Sequence, residues 1–216
     1  VETNNNGEIS IDDIKSKLIS IKVKNLKCFA IVATAGTTFS GAIDPLSEIA
    51  DLCLSNNIWL HVDASIGGVY ALSDSTNFLL KGISRSSSIT INPQKVLGIA
   101  KTSSLLLVSN VSDLYDCFST GFPYLEKSTQ NDYQRGELGL QGSRSAEILK
   151  LWLGLRQLGI DGISKIVENS ITRKNYFIEG LQSDKFNLIN GPLHLVSFSP
   201  KVLNSEQSSL WSVSTR

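Results

Sequence analysis

Apolar positions along this chain alternate between helical spacing and short unbroken runs, an order that predicts an α/β fold. After a polar stretch from Val1 to Gly7, the residues Ile11, Ile14, Leu18 and Ile19 recur at helical spacing. Ser10, with Asp13 three residues on, resembles a capping box with Asp in place of Glu. Cys28-Phe-Ala-Ile-Val-Ala is a continuous apolar run, the pattern of a strand buried on both faces. It ends in a small-residue loop, Thr34-Ala-Gly-Thr-Thr38. Asp44-Pro45 then reads as a helix N-cap followed by proline at the first helical position. That helix runs through Ile49, Ala50 and Cys53 to Asn56-Asn57, and Ile58 to Asp63 is a second strand. Strand, loop, helix, strand is a βαβ unit, whose crossover is right-handed and whose strands are parallel.

The pattern continues with two short strands, Ser88 to Asn92 and Ser104 to Ser109. Phe118 to Gly142 has few periodic apolar positions and reads as a long loop, of a length usually functional or disordered. Ser143 opens a long helix carrying Leu149, Trp152, Leu153 and Leu155, which stops near Gly159. Asp161 caps another, carrying Ile163, Ile166, Val167 and Ile171. Phe186 to Ile189 and His194 to Phe198 read as strands of a separate small layer.

Composition narrows the function classes. Twenty Lys+Arg balance twenty Asp+Glu in 216 residues, so no surplus charge advertises a nucleic-acid partner or an anionic membrane. The longest apolar runs fall far short of a bilayer span. Cys28, Cys53 and Cys117 are far apart, which argues against a disulfide framework and a zinc knuckle and for reduced thiols in a cytosolic protein. No metal site follows from two histidines as distant as His61 and His194. The chain has no methionine and begins at Val1, which reads as a processed or partial sequence.

Ligands of open parallel sheets bind beyond the carboxyl ends of the strands. The groups just past the predicted strand ends are Gly36-Thr37-Thr38, Asp63-Ala64-Ser65 and Asn92-Pro93-Gln94-Lys95. A carboxylate, a lysine and several hydroxyl and amide groups therefore converge on one sheet edge. Asp63 ends an apolar run, so burial is expected, with a cationic or hydrogen-bonding partner. On position alone it reads equally as a helix N-cap or a solvated loop acid. Lys95 by itself reads as a surface lysine. In a dry pocket a lysine attacks carbonyls, and facing a buried aspartate it forms the pair that pyridoxal phosphate needs.

Three blocks, Thr34-Ala-Gly-Thr-Thr38 with Gly41 to Pro45, His61-Val-Asp-Ala-Ser65 with Gly67 and Gly68, and Asn92-Pro-Gln-Lys95, resemble the group II pyridoxal-phosphate-dependent amino-acid decarboxylases in order, spacing and strand context. The resemblance implies a fold-type I aminotransferase-like large domain. Its sheet is mostly parallel with helices on both faces, and part of a small C-terminal α+β domain follows. Residues 1–160 would belong to the cofactor-binding domain and 161–216 would start the small one. It also implies a homodimer with active sites at the subunit interface and a small amino-acid substrate; the lack of a basic-then-apolar signal at the start reads as a cytoplasmic location or a missing N-terminus.

Carried over by position, Lys95 would hold pyridoxal 5'-phosphate as the internal aldimine and Asp63 would pair with its pyridinium nitrogen. Ser65 would pack on one ring face, Thr38 would lie near the ring's 3-oxygen, and Asn92 would help shape the site. Gln94 departs from a frequent histidine that contacts the cofactor phosphate. It keeps a hydrogen-bond donor and loses the charge. Tyr124, on the long loop, would by the same resemblance protonate the α-carbon after CO2 leaves; by itself it reads as an ordinary surface aromatic on a flexible loop. Arg144, beside the Ser143 helix start, would touch the cofactor phosphate or substrate carboxylate, or serve only as a solvated flank of a cap. His61 reads as support for Asp63 or, slightly favoured, as a packed structural histidine. His194 reads as structural. The implied reaction is α-decarboxylation of an L-amino acid to an amine and CO2. The alternatives are another fold-type I activity (an aldehyde-forming decarboxylase, a lyase or an aminotransferase) and an inactive fragment.

Overall fold

Ser10 starts the first helix as its sequence suggests: its backbone is extended and its hydroxyl accepts the Asp13 N–H at 3.3 Å. Helix α1 (Ile11–Val23) follows, burying Ile14 and Leu18. The computed structural model describes residues 1–101, 104–122, 135–143, 145–181 and 184–202.

The first two strands, β1 (Ala30–Thr34) and β2 (Trp59–Asp63), pair in parallel with Thr34 opposite Asp63. Strand β3 (Ser88–Ile91) adds in parallel to β2, with Asp63 opposite Thr90. Strand β4 (Leu105–Val108) runs antiparallel to β3, so the sheet order is β1-β2-β3-β4. The crossover from β1 to β2 is α2 (Leu46–Asn56), which buries Leu46, Ile49, Ala50 and Cys53 in the same core as Ala33, Leu60 and Val62. Each fully buried aliphatic side chain contributes roughly 1.5–3 kcal/mol of transfer free energy. Asn57 closes α2 in the left-handed conformation (φ 52°), which asparagine tolerates through its short polar side chain. Burial pushes the Cys53 thiol up to about 11, with neighbouring Cys28 adding to the shift. It packs there as a small hydrophobe.

Three 3-10 turns, at Gly67–Leu72, Asn77–Leu80 and Ile83–Arg85, link β2 to β3. A single helical turn, α3 (Pro93–Val96), follows β3 with proline at its first position. Helix α4 (Val111–Phe118) is capped by Asn110, which accepts the Ser112 N–H at 3.1 Å. Helix α5 (Ile148–Gly180) breaks at Gly159, whose φ of 60° and ψ of 179° are not helical. A two-stranded antiparallel sheet of β5 (Phe186–Asn190) and β6 (Val196–Pro200) stands apart from the main sheet.

Several expectations change. The Cys28 to Ala33 run is not buried on both faces: Phe29 is 81% and Val32 58% exposed. Strand β1 lies at the sheet edge, and α2 covers only its other face. Asp44 is not the N-cap of α2. Pro45 holds that position, and the buried Asp44 carboxylate instead accepts the N–H groups of Ile9 and Thr34. The α5 helix starts at Ile148, five residues beyond Ser143. The end of α4 and a 3-10 turn at Arg135–Glu137 occupy part of the expected long loop. There the buried Glu137 carboxylate accepts the Thr120 N–H and hydroxyl at 2.5 and 2.6 Å. His194 precedes β6 rather than lying within it.

Candidate active site

The loop after β1 is built from its own small residues. Gly36 and Thr37 donate their N–H groups to Ala42 O at 2.9 and 3.0 Å, and Gly41 N–H returns to Thr37 O at 2.8 Å. The Thr37 hydroxyl lies 2.9 Å from that of Ser40 and accepts the Ala42 N–H at 3.1 Å. Thr37 is therefore consumed in bracing the loop, and Thr38 beside it is exposed. Gly36 has φ +104°, a value that β-carbon-bearing residues rarely adopt.

The ends of β2 and β3 are stitched together. Ala64 N–H bonds Thr90 O at 2.9 Å and Asn92 N–H bonds Ser65 O at 3.3 Å. Asp63 Oδ1 accepts the Ser65 N–H at 3.1 Å. Within α3, three residues past the N-cap Asn92, Lys95 donates its own N–H to Asn92 O at 3.0 Å. Asp63, Ser65, Asn92 and Lys95 thus meet on one sheet edge. Partial burial works to raise the Asp63 carboxyl. Hydrogen bonds from the Ser65 side chain and backbone, with the charges of Lys95 and His61, more than offset it and hold the group below the ordinary carboxylate value. The expected burial of Asp63 is not found: its side chain and that of Lys95 are exposed. The strand ends at the sheet margin, so the apolar run before Asp63 buries Leu60 and Val62 but not the acid.

His61 turns toward β3. Its Nδ1 is 2.8 Å from the Ser88 hydroxyl and its Nε2 is 3.3 Å from that of Thr90. These contacts fit a packed structural histidine, which reaches Asp63 through charge. Gln94 is half-buried on α3. Tyr124 and Arg144 lie outside the described residues. Sequence reasoning missed Ser104, whose hydroxyl donates a hydrogen bond to Asn92 Oδ1. No sequence signal marked it: the contact arises from the antiparallel register of β3 and β4, which sets Leu105 opposite Ile91 and so Ser104 beside Asn92. Among the described residues, no group of three or more His, Cys, Asp or Glu could hold a metal ion, and no helix is long and apolar enough to cross a membrane.

An α/β sheet with an acid ending one strand and a lysine just past the next defines a class of protein whose ligand sits at the sheet edge. The model of the pyridoxal-dependent decarboxylase conserved domain matches residues 1–201, and the chain belongs to that family. The acidic amino acid decarboxylase GADL1 of Bos taurus is 34% identical over 197 residues, covering 89% of this chain and 38% of that protein. The Homo sapiens GADL1 gives the same figures. The chain therefore spans well under half the length of these relatives. The crystal structure of mouse CSAD in apo form superposes with a TM-score of 0.82 at 28% identity, over 99% of this chain and 47% of that one. Catharanthus roseus tryptophan decarboxylase in complex with L-tryptophan shares the fold, with a TM-score of 0.84 at 23% identity over 96% and 44% of the two chains. The fold is the fold-type I α/β architecture. The donor set suits the family's cofactor: a primary amine for an aldehyde carbon, and an acid that stays ionised for a ring nitrogen.

Proposed function

We propose that the protein containing this chain removes the α-carboxyl group of an L-amino acid as CO2, leaving an amine. The observation that carries this is the placement of Asp63 at the end of β2 and of Lys95 just past β3, near enough that the lysine's charge helps keep the acid ionised. Lys95 Nζ would hold the aldehyde carbon of pyridoxal 5'-phosphate, and Asp63 would hold its ring nitrogen protonated. When bound, the cofactor supplies the electron sink for the bond broken at the α-carbon. Asp63 would supply a fixed negative charge beside the ring nitrogen, and the Ser65 N–H fixes the direction of its carboxylate. Thr38 and Ser65 would border the ring, and Asn92, held by Ser104, would shape the same edge. Gln94 would donate to the phosphate. Tyr124 would return a proton to the α-carbon and Arg144 would meet a phosphate or carboxylate. Both of these assignments rest on sequence.

The GADL1 relatives act, by name, on acidic amino acids, so L-aspartate and L-glutamate are the first substrates to try. A homodimer and a cytoplasmic location complete the proposal. The test is Lys95→Ala and Asp63→Asn in the intact protein. Lys95→Ala abolishes both the absorbance of lysine-bound cofactor and CO2 release. Asp63→Asn keeps the absorbance but lowers kcat on the order of 100-fold or more. An unchanged spectrum in Lys95→Ala overturns the assignment.

A further inference from the structure

The segment from Gly191 to Ser197 lies more than ninety residues beyond Lys95, yet it is built into the loop that carries Thr38. Leu193 is fully buried. Three glycines of the site blocks make room for it. A Cβ on Gly36 would sit 2.7 Å from Leu193 Cδ1, one on Gly67 3.3 Å from the same atom, and one on Gly41 3.2 Å from Leu193 Cβ. Gly67 also donates its N–H to Ala35 O at 2.9 Å, joining the loop after β1 to the turn after Asp63. The segment is fastened on both sides of Leu193. Lys174 Nζ donates to Gly191 O at 2.9 Å, His194 Nδ1 lies 2.7 Å from the Tyr70 hydroxyl, and the Ser197 hydroxyl donates to Phe39 O. Phe39 is the residue after Thr38.

We propose that Leu193 is a positioning residue for the cofactor: a wedge between the Thr34–Ala42 loop and the Asp63–Gly68 turn that sets the spacing of Thr38 from Asp63 and Ser65. The inference rests on the functional reading above and assigns the wedge no contact with cofactor or substrate. Removing the side chain leaves a void against three glycines, which offer no side chain to fill it, so the loop is free to settle inward. A misplacement of about 1 Å between groups that hold one ligand is enough to weaken it severely.

The test compares intact proteins carrying Leu193→Ala, Leu193→Met and Ser197→Ala, with Leu80→Ala as a control. Leu80 is equally buried in the core. The readouts are the dissociation constant for pyridoxal 5'-phosphate, the induced circular dichroism of its absorbance band, and the thermal midpoint. Leu193→Ala raises the dissociation constant about tenfold and reduces the induced dichroism, whereas Leu193→Met, which conserves volume, restores both. Leu80→Ala lowers the midpoint as much without changing the dissociation constant. Ser197→Ala needs no core rearrangement, so it decides the matter if Leu193→Ala does not fold. It raises the dissociation constant a few-fold at an unchanged midpoint. Equal weakening by Leu193→Ala and Leu80→Ala overturns the wedge, as does wild-type affinity in Leu193→Ala or Ser197→Ala. Wild-type protein that binds no pyridoxal 5'-phosphate overturns the functional reading together with the wedge.

Discussion

Asp44 is 5% exposed, and its two carboxylate oxygens accept the N–H groups of Ile9 at 2.7 Å and Thr34 at 2.6 Å. It therefore ties the N-terminal segment to the end of β1, where the candidate site begins. Replacing it with asparagine preserves shape but leaves one acceptor, and turns an NH2 group toward the second N–H. A buried donor left unsatisfied costs about 1–3 kcal/mol, from which the relief of burying a charge subtracts. Asp44→Asn is therefore expected to cost about 1–2 kcal/mol and Asp44→Ala, with two donors orphaned, about 2–4 kcal/mol. The pH dependence has a definite sign. Burial raises the Asp44 carboxyl above its ordinary 3.8, the Ile9 and Thr34 N–H groups pull it partly back, and Glu8 adds to the rise. As pH falls toward 3.8 the folded state takes up this proton before the unfolded one, so the wild type gains stability that the Asn variant cannot. The penalty of Asp44→Asn is then larger near pH 4 than at pH 7. Urea midpoints at constant m-value measure the penalty, and amide exchange at Thr34 and Ile9 localises it. An Asn variant within about 0.5 kcal/mol of wild type, with slow exchange retained at Thr34, refutes the brace.

Two further outcomes follow from contacts behind the site. Burial, reinforced by Lys174, holds the His194 imidazole below its ordinary 6.5, so the unfolded chain protonates first and stability falls as pH drops below 6.5. Burial holds the Tyr70 phenol above its ordinary 10, despite hydrogen bonds with Ser170 and His194, so stability also falls as pH rises beyond 10. In His194→Gln the acid-side decline in thermal midpoint flattens while the alkaline side persists; an unchanged acid limb contradicts the assignment. Gly67→Ala would place a Cβ 2.3 Å from Ala35 O, a backbone atom that cannot swing aside, and is expected to cost about 3 kcal/mol or more in thermal unfolding. A Gly67→Ala protein with the wild-type midpoint would show that the two loops are not in contact.

The strands were legible because parallel strands buried by helices read as unbroken apolar runs, and Ile58 to Val62 is such a run. The rule that ligands bind beyond strand ends then placed Asp63, Ser65, Asn92 and Lys95 on one edge, and the hydrogen bonds from Ser65 to Asp63 and from Asn92 to Ser65 do join them. Strand direction was not legible. A four-residue run such as Leu105–Val108 announces a strand but carries no sign of which way it lies, so the antiparallel pairing that brings Ser104 to Asn92 could not be read. Burial on two faces was likewise overread at Val32, because apolar character states what a strand can bury and not whether anything covers it.

The residues that fix distances were the least visible. Asp44 looked like a cap because aspartate before proline is a local signal, whereas its actual partner Ile9 is 35 positions away. Tyr70 and His194 meet across 124 positions, and Leu193 is an ordinary leucine in sequence. The asymmetry has a physical cause. The chemistry of a site requires particular functional groups, which leave compact motifs such as Asn92-Pro-Gln-Lys95. The spacing of those groups requires only volume and a few donors, which many residue types supply and which the chain can deliver from any distance. A glycine is the exception that leaves a trace. Gly36, Gly41 and Gly67 belong to the recognisable blocks, and the space they leave open is where Leu193 packs. A motif glycine in this fold thus marks the approach of a remote side chain as much as a turn. If so, Gly36→Ala and Leu193→Ala disturb the same loop, and their effects on cofactor affinity combine to much less than the sum of the two.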